Sequence, residues 1–316
     1  MSNVLIETVD LKKYFKKKTG MLHAVDGVNF RIIEGETFGV VGESGCGKST
    51  LGRVILRLIE PTDGKVLLEG KDIAHFKRKE LQKVRREMQI IFQDPYSSIN
   101  PRMSVQEIIA EPLIVNKVYR TKAELYDRVA YLMETVGLSE RVSIAYPHEL
   151  DGGRRQRVGV ARALALDPKF IVCDEPVSAL DVSIQAQILN LLMDLQDQMG
   201  LTYLFITHDL SVVKHISNDI AVMYLGHCVE WAPKHELFKN PLHPYSKALL
   251  SAIPIPNPAM RSKTMDVIKG ELSSPINPKP GCRFSPRCPY VTDKCLGEDI
   301  ELKHLGGDHW VACTLF

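Results

Sequence analysis

Hydrophobic positions follow two periods along this chain, and together they predict an α/β fold. Short, continuous apolar runs typical of buried strands occur at residues 37–41, 88–92, 170–173 and 201–206. Between these runs, apolar residues recur at helical spacing, as in 51–59 and 103–138. Strands that alternate with helices indicate a mostly parallel sheet with helices packed on it. Residues 103–138 are long enough to form a small helical subdomain.

The first 36 residues carry a different pattern, which predicts an antiparallel edge. Val4 to Thr8 and Ala24 to Ile33 are typical of strands, with a basic loop between them that contains the run from Lys12 to Lys18. An aromatic residue in this region could stack on a nucleotide base, since every base offers a π-face. Phe15 is the first candidate and Tyr14 the second. The alternative is an aromatic residue packed on the sheet edge.

A glycine-rich stretch joins the strand at 37–41 to the helix at 51–59. It fits the pattern G-x4-GK[ST] in the order strand, turn, helix that a phosphate-binding loop requires. Its glycines allow backbone N–H groups to point at phosphate oxygens, and the helix N-terminus adds partial positive charge. We expect Lys48 to reach the β- and γ-phosphates and Ser49 to hold Mg²⁺. The predicted nucleotide-binding residues are Gly42, Ser44, Gly45, Cys46, Gly47, Lys48, Ser49 and Thr50.

Polar residues that suit phosphate chemistry follow three other predicted strands. Gln93 could ligate Mg²⁺ or orient water. Asp174 suits the surroundings of Mg²⁺, and Glu175 suits a general base for water. His208 could donate a hydrogen bond to a γ-phosphate, although a lone histidine can equally be a packing residue.

A second anion site is predicted where residues 150–157 open a helix. Gly152 and Gly153 leave the backbone N–H groups of a helix start accessible, as in the first loop. Asp151 precedes them and Arg154 follows. Asp181 precedes another long helix, which is predicted to end near Gly200.

Composition and charge narrow the class of protein. The 316 residues are 45% hydrophobic and 25% charged, which is ordinary for a globular protein with a sizeable core. The net charge of +2 does not favour nucleic acid as a partner. No apolar run reaches the length of a membrane-spanning helix and no signal peptide is evident, so we expect the chain to stay on the cytoplasmic side.

The seven cysteines fall into two groups. Cys46, Cys173 and Cys228 lie in apolar or loop segments and are interpreted as small core residues. The other four follow a proline-rich stretch that predicts an extended linker, and they are Cys282, Cys288, Cys295 and Cys313. Four thiolates suit tetrahedral zinc or a [4Fe-4S] cluster, and the spacing does not choose between them. His304 and His309 are possible substitute ligands, and incidental thiols are the remaining alternative.

The ordered set of Gly42 to Thr50, Gln93, Leu150 to Arg157, Asp174-Glu175 and His208 resembles the ATPase subunit of an ABC transporter. Further stretches resemble the dipeptide, oligopeptide and nickel uptake branch of that family, and they are residues 92–102, 146–150, 240–245, 281–284 and 287–289. The resemblance covers nearly the whole chain. It implies a P-loop NTPase of ABC type over residues 1–240, with a RecA-like parallel sheet, an antiparallel β edge and a helical subdomain near 95–160. Residues 241–316 would form a small extension with a four-cysteine site.

The resemblance also implies roles for these residues. Two such subunits associate head to tail, and each ATP lies between the phosphate loop of one and the signature segment of the other. Glu175 would position or deprotonate the attacking water, and His208 would hold the γ-phosphate. Gln93 would link Mg²⁺ to the membrane partner, and Asp181 would communicate across the dimer.

The signature segment departs from the family pattern Leu-Ser-Gly-Gly-Gln, because Asp151 replaces the serine and Arg154 the glutamine. An ionised carboxylate cannot donate a hydrogen bond to a γ-phosphate, and like charges at ~4 Å repel by about 4 kcal/mol in a partly screened site. Arg154 or Arg155 could neutralise Asp151, or Asp151 could cap the helix. The hypothesis is therefore a non-identical ATPase partner and slow turnover at the site that uses Asp151.

The implied function is ATP hydrolysis that energises peptide uptake, with two membrane-spanning permease subunits and, indirectly, an extracytoplasmic solute-binding protein. The resemblance favours an iron–sulfur cluster in the cysteine site, with zinc as the alternative. Three rival functions are kept open: import of another solute such as nickel or an oligosaccharide, a soluble ABC ATPase acting on nucleic acid or ribosomes, and a metal-responsive regulator without transport.

Overall fold

The computed structural model describes residues 3–252 and 274–316. The chain forms two compact units, of which the first contains residues 1–75 and 205–316 and the second residues 76–204. The predicted proline-rich linker lies partly outside the described residues, since Pro254, Pro256 and Pro258 fall there.

The first unit begins with two long antiparallel strands, β1 (Val4–Lys17) and β2 (Gly20–Ile33). The basic loop predicted between Thr8 and Ala24 is therefore wrong except at residues 18 and 19, where the chain turns. Residues 13–17 each have a cross-strand partner on β2 down to the pair Lys17 and Gly20, so the ladder satisfies their backbone groups without a loop.

The strand β3 (Thr37–Val41) is buried at every position, as expected for a strand covered on both faces. The phosphate loop follows and leads into helix α1 (Lys48–Ile55). The strands β4 (Asp63–Leu68) and β5 (Lys71–Asp72) then complete a four-stranded sheet in the order β2-β1-β4-β5.

The second unit contains a helical region and two strands that pair in parallel. Its elements, in chain order, are α2 (Arg78–Glu87), β6 (Met88–Ile91), α3 (Pro95–Ser98), α4 (Val105–Val115), α5 (Lys122–Thr135), α6 (Gly152–Leu164), β7 (Phe170–Asp174) and α7 (Val182–Met199). Capping boxes at Ser104 and Thr121 begin α4 and α5, each with a glutamate three residues later. Gly200, with a φ of 65°, ends α7.

The strand β8 (Thr202–Ile206) leads the chain back into the first unit. The remaining elements are α8 (Leu210–Ile216), β9 (Asp219–Tyr224), β10 (His227–Pro233), α9 (Lys234–Lys239), α10 (Pro244–Ser251), β11 (Lys303–His304) and β12 (Trp310–Val311). In this unit β3 pairs in parallel with β9, and β10, β12 and β11 continue the sheet in antiparallel fashion. Among the described residues, no helix combines the length and the apolar character needed to cross a bilayer.

Candidate functional site

The phosphate loop connects the end of β3 to the start of α1 in a shape that only glycine tolerates at two positions. Gly42 has a φ of 153°, and a Cβ there would lie 2.2 Å from the carbonyl oxygen of Met223. Gly47 has a φ of 109°, and its Cβ would lie 2.0 Å from the carbonyl oxygen of Ala24. The close approach of neighbouring backbone therefore fixes the path of the loop.

Lys48 is buried beneath this loop, with 4% of its surface exposed. Its Nζ donates to the carbonyl oxygens of Gly42 at 2.8 Å and Glu43 at 3.0 Å. The ammonium group thus lies at the centre of the loop, where phosphate oxygens would accept from the same donors. Ser44 and Gly45 at the tip are exposed, whereas the Cys46 side chain is buried, and burial raises the pKa of its thiol.

Gln93 and Glu175 meet in the second unit, as the adjacent ends of β6 and β7 bring them together. The Gln93 side-chain amide donates to Glu175 Oε2 at 2.8 Å. Glu175 has a φ of 48°, which is strained for a residue with a side chain. Asp174, the last residue of β7, is 2% exposed. A carboxylate held by an amide at a strained strand end is typical of a catalytic position.

The signature segment lies at the start of α6. Asp151 is the N-cap of this helix, and its Oδ1 accepts from the backbone N–H of Arg154 at 2.7 Å. The Arg154 Nε lies 3.5 Å from Asp151 Oδ2, and both side chains are more than half exposed. The capping role considered for Asp151 is therefore present in the structure.

The glycines after Asp151 pack against residues at and just before the start of α7, in the same unit. A Cβ on Gly152 would lie 3.1 Å from the Leu180 side chain, and one on Gly153 would lie 2.8 Å from that of Ile184. Asp181 caps α7 through a 3.0 Å hydrogen bond from the backbone N–H of Ile184. The N-termini of α6 and α7 therefore pack together.

His208 lies in the loop after β8, in the first unit, and is exposed. The loop is anchored by the backbone N–H of Thr207, which donates to the carbonyl oxygen of Val40 at the end of β3. The Thr207 hydroxyl accepts from the backbone N–H of Asp209 at 3.0 Å. His208 therefore follows a strand end that is fixed beside the strand that enters the phosphate loop.

The two aromatic candidates on β1 differ in their surroundings. The Tyr14 hydroxyl donates to Asp26, and its ring stacks on His23 with centroids 4.0 Å apart. Phe15 is partly exposed, and the Lys13 Nζ lies 5.0 Å from its ring centroid. Because the Tyr14 side chain is held by Asp26 and His23 in a partly buried cluster, Phe15 remains the better candidate for stacking on a base.

The four C-terminal cysteines line one small cavity in the first unit. Burial raises the pKa of Cys282 to about 11 and also raises those of Cys288 and Cys313. At Cys295 burial acts in the same direction, but hydrogen bonds with Thr314 and Thr292 lower its pKa overall. Among residues 3–252 and 274–316, no group of three or more His, Cys, Asp or Glu side chains has an arrangement that could hold a metal ion. The cavity brings the predicted thiols together, but not in a ligating geometry.

The two histidines considered as substitute ligands do not line this cavity. The His309 Nε2 lies 2.8 Å from the fully buried Glu230, and the His304 ring lies against Trp310. His243 lines the cavity instead, and burial lowers its pKa to about 4. Its Nδ1 accepts from the backbone N–H of Tyr245, so this histidine also serves as the N-cap of α10.

Comparison with known proteins gives matches along nearly the whole chain. A family model described as ABC transporter matches residues 25–178, and one described as the C-terminal region of the oligopeptide/dipeptide transporter matches residues 229–295. The oligopeptide transport ATP-binding protein OppF of Salmonella typhimurium is 54% identical, over 92% of this chain and 90% of its own length. The putative oligopeptide transport ATP-binding protein YkfD of Bacillus subtilis is 53% identical, over 99% of this chain and 95% of its own length.

Solved structures extend the comparison to three dimensions. The dimeric post-hydrolysis structure of the ATP-binding cassette MJ0796 bound to ADP and Pi is 31% identical, with a TM-score of 0.67. The match covers 73% of this chain and 99% of the cassette. The cbiO1 structure from Clostridium perfringens, part of the ABC transporter complex cbiONQ, has the same TM-score at 28% identity.

Proposed function

This chain belongs to the ABC transporter family, and from that premise we propose that it is the ATP-hydrolysing subunit of an importer of dipeptides or oligopeptides. The family membership confirms the predicted ABC-type P-loop fold and the ATPase activity. The observation that supports peptide as the solute is the identity of about half, over nearly the full length, to proteins named for oligopeptide transport.

The proposed mechanism assigns each site residue a role that its surroundings support. Lys48 and the loop N–H groups would bind the β- and γ-phosphates, Ser49 and Gln93 would hold Mg²⁺, and Asp174 would serve the same nucleotide. Phe15 stacks on the base. Glu175 activates the attacking water, and its hydrogen bond with Gln93 fixes its orientation before nucleotide binds. His208 holds the γ-phosphate in line.

We infer that a second ATPase subunit completes each ATP-binding site, and that this subunit is not a copy of the present chain. Asp151 carries the inference, because its carboxylate accepts from its own helix and offers no hydroxyl to an opposing γ-phosphate. The site that uses this chain's Glu175 hydrolyses ATP against the partner's signature segment, and the site that uses Asp151 turns over slowly. The two ATPase subunits dock on two permease subunits at the cytoplasmic face of the membrane. An extracytoplasmic binding protein delivers the solute and is therefore an indirect partner of the ATPase subunits.

The test replaces Glu175 by Gln in the complex reconstituted with its partner subunits. Gln is nearly isosteric but cannot act as a base, so we expect ATP hydrolysis and uptake of a labelled dipeptide to fall together by about 100-fold or more. Nucleotide binding, measured by titration with a fluorescent ATP analogue, should remain. Retention of most hydrolysis in this variant would contradict the assignment of Glu175.

Other outcomes would change the function that is assigned to the chain. If hydrolysis depends on Glu175 but is stimulated by nickel or an oligosaccharide with its binding protein, and not by peptide, the alternative importer is correct. If the chain purifies with ribosomes or nucleic acid instead of membranes, the soluble ATPase is correct.

We also propose that the four-cysteine cavity holds a [4Fe-4S] cluster, with zinc as the alternative. The donor set suits either, because four cysteine side chains line one small cavity, and metal binding would have to bring them into a ligating geometry. The raised pKa values of Cys282, Cys288 and Cys313 mean that ligation must displace their protons, so the site should bind metal more weakly as pH falls. When bound, a cluster would supply either structural support or redox sensitivity.

The cluster is tested by anaerobic purification of the full chain, followed by absorption spectroscopy and iron and zinc analysis. We expect a brown protein with about four iron atoms per chain, as a [4Fe-4S] cluster contains. Cys288→Ser should lose most of the iron, whereas Cys228→Ser, a buried cysteine outside the cavity, should keep it. A colourless protein with one zinc per chain would exclude the cluster.

A further inference from the structure

The segment from Cys282 to Cys288, here called the cysteine turn, contacts the phosphate loop directly through Arg287 and the turn beside that loop through Arg283. The turn is short because Cys282, Phe284 and Ser285 accept backbone hydrogen bonds from residues 285, 287 and 288. Arg283 follows one cysteine of the cavity and Arg287 precedes another. Each of the two arginines is therefore the direct sequence neighbour of a cysteine that lines the cavity.

The first contact is an ion pair with the phosphate loop itself. The Arg287 Nη1 lies 3.0 Å from Oε2 and 3.3 Å from Oε1 of Glu43. The Arg287 side chain is 8% exposed and that of Glu43 is 23% exposed. An arginine this deeply buried needs its partner, because an uncompensated buried charge is strongly destabilising.

Glu43 is held by its backbone as well as its side chain. Its N–H donates to the hydroxyl of the fully buried Tyr245 at 3.0 Å, and its carbonyl oxygen accepts from Lys48. The Tyr245 ring packs edge-on against Tyr224 at 4.7 Å and lies 5.4 Å from Phe284 of the cysteine turn. Glu43 thus joins the extension directly to the lysine expected to bind phosphate.

The second contact reaches the phosphate loop indirectly, through the turn between β9 and β10. The Arg283 guanidinium donates to the carbonyl oxygen of Leu225 and to the Asp26 carboxylate. The next residue, Gly226, donates its N–H to the carbonyl oxygen of Cys46 at 2.8 Å. The turn between β9 and β10 therefore links Arg283 to the phosphate loop at Cys46.

Asp26 is a strong anchor for this second contact. Burial disfavours its charged form, but hydrogen bonds from His227, Tyr14 and His23 and the charge of Arg283 lower the pKa of Asp26 far below the usual range. Asp26 is therefore ionised at any physiological pH, and the anchor persists.

We propose that the cysteine turn positions the phosphate loop for ATP, with Arg287 neutralising Glu43 and Arg283 supporting the loop at Cys46. The proposal rests on the proposed function, because it takes ATP as the ligand of this loop. Glu43 adds a negative charge to a loop that must attract a polyphosphate. Arg287 offsets this charge and keeps the Glu43 carbonyl oxygen in reach of Lys48. Arg287 is a positioning residue, since the phosphates are bound by the loop and Lys48.

The test compares ATP affinity in three variants of the full chain in its assembled complex, Arg287→Gln, Glu43→Gln and the double variant. A fluorescent ATP analogue is the probe. Arg287→Gln leaves the Glu43 carboxylate unpaired beside the polyphosphate, so we expect Kd to rise on the order of tenfold. Glu43→Gln removes the carboxylate and should change Kd by less than about threefold. The double variant should recover most of the affinity that Arg287→Gln loses.

Two control variants separate this proposal from the proposed function. Arg128→Gln, which breaks a pair with Asp167 in the second unit, should bind as the unmodified protein does. Lys48→Ala should lose ATP binding; if it does not, the proposed function of the loop fails. If Lys48→Ala loses binding but Arg287→Gln does not, the positioning role alone is overturned. A double variant as weak as Arg287→Gln would also overturn it, because lost packing would then explain the effect.

A further variant, Arg287→Lys, covers the case in which Arg287→Gln does not fold. Arg287→Lys keeps the positive charge but places one ammonium where the guanidinium contacts both carboxylate oxygens. We expect its Kd to lie between those of the unmodified protein and Arg287→Gln. An unchanged thermal midpoint together with an unchanged Kd would contradict the proposal.

Discussion

The phosphate loop and the signature segment both begin a helix with glycines, but they are held in different ways. The phosphate loop is fixed by groups distant in sequence: Arg287, 244 residues from Glu43, and Tyr245, 202 residues from it. The signature segment is held largely by its own neighbourhood, with Asp151 accepting from the N–H three residues later. The first loop depends on the rest of its unit, whereas the second depends on local capping.

This difference has a functional meaning. A loop that is already held by the rest of its unit loses little conformational entropy when a ligand binds, so we expect its affinity for ATP to be sensitive to distant changes. At an exposed, locally capped helix start, a substitution that keeps the cap costs little stability. Asp151 lies at such a position, whereas Gly153 packs against Ile184, so the effect of Asp151→Ser should appear in turnover rather than in stability.

The largest effect is expected from a Cβ placed in the phosphate loop. Gly47→Ala would put a methyl group 2.0 Å from the carbonyl oxygen of Ala24, at a φ of 109° that alanine rarely adopts. We expect a loss of about 3 kcal/mol in the free energy of unfolding and loss of ATP binding. Thermal unfolding and titration with a fluorescent ATP analogue measure the two effects.

The matched control is Gly45→Ala in the same loop. Gly45 has a φ of 78°, but a Cβ there meets no other atom within 4 Å. The cost should therefore be confined to the backbone strain of about 1 kcal/mol. If both variants lost the same stability, the close approach of Ala24 would not be what fixes the loop.

An intermediate effect is expected at the signature segment. Asp151→Ser restores a hydroxyl that can donate to an opposing γ-phosphate, so we expect hydrolysis by the assembled complex to rise several-fold. Serine also caps helices well, so the thermal midpoint should stay within about 1 °C. Asp151→Ala removes both features, and it should lose about 1 kcal/mol of stability without a gain in turnover.

The contrary outcome is informative about the partner subunit. If Asp151→Ser leaves hydrolysis unchanged while Asp151→Ala lowers stability as expected, Asp151 is only a helix cap. The slow second site, and with it the argument for a non-identical partner, would then be lost.

The sequence predicted the local features of both regions and missed the distant ones. The glycine pattern, the cap at Asp151 and the strand ends at Gln93 and Glu175 follow from spacing within a few residues. The hydrogen bond between Gln93 and Glu175 follows once β6 and β7 are neighbours. The ion pair of Arg287 with Glu43 has no signal in either segment alone, because it depends on how the C-terminal extension packs.

The length of β1 is a second feature that local sequence does not predict, because it depends on pairing with another strand. The basic stretch between Thr8 and Ala24 predicts a loop. The structure continues the strand to Lys17 because β2 offers a backbone partner to each residue from 13 to 17. Pairing with another strand overrode local composition, as tertiary context commonly does for strands.

The smallest effect is expected at Asp219, the first residue of β9, which pairs with the strand leading into the phosphate loop. Burial raises the pKa of Asp219 to about 6, and the charges of Glu36 and Asp308 add to the rise. The folded protein thus holds this proton more tightly than the unfolded chain, so stability falls as pH increases from about 4 to about 6.

Asp219→Asn removes the buried charge, and we expect a gain of about 1 kcal/mol in the free energy of unfolding at pH 7.5, after allowance for solvent screening. Thermal unfolding at pH 7.5 and pH 4 measures this gain, which should disappear at the lower pH because Asp219 is then neutral as well. An equal gain at both pH values would mean that asparagine acts through packing and not through charge.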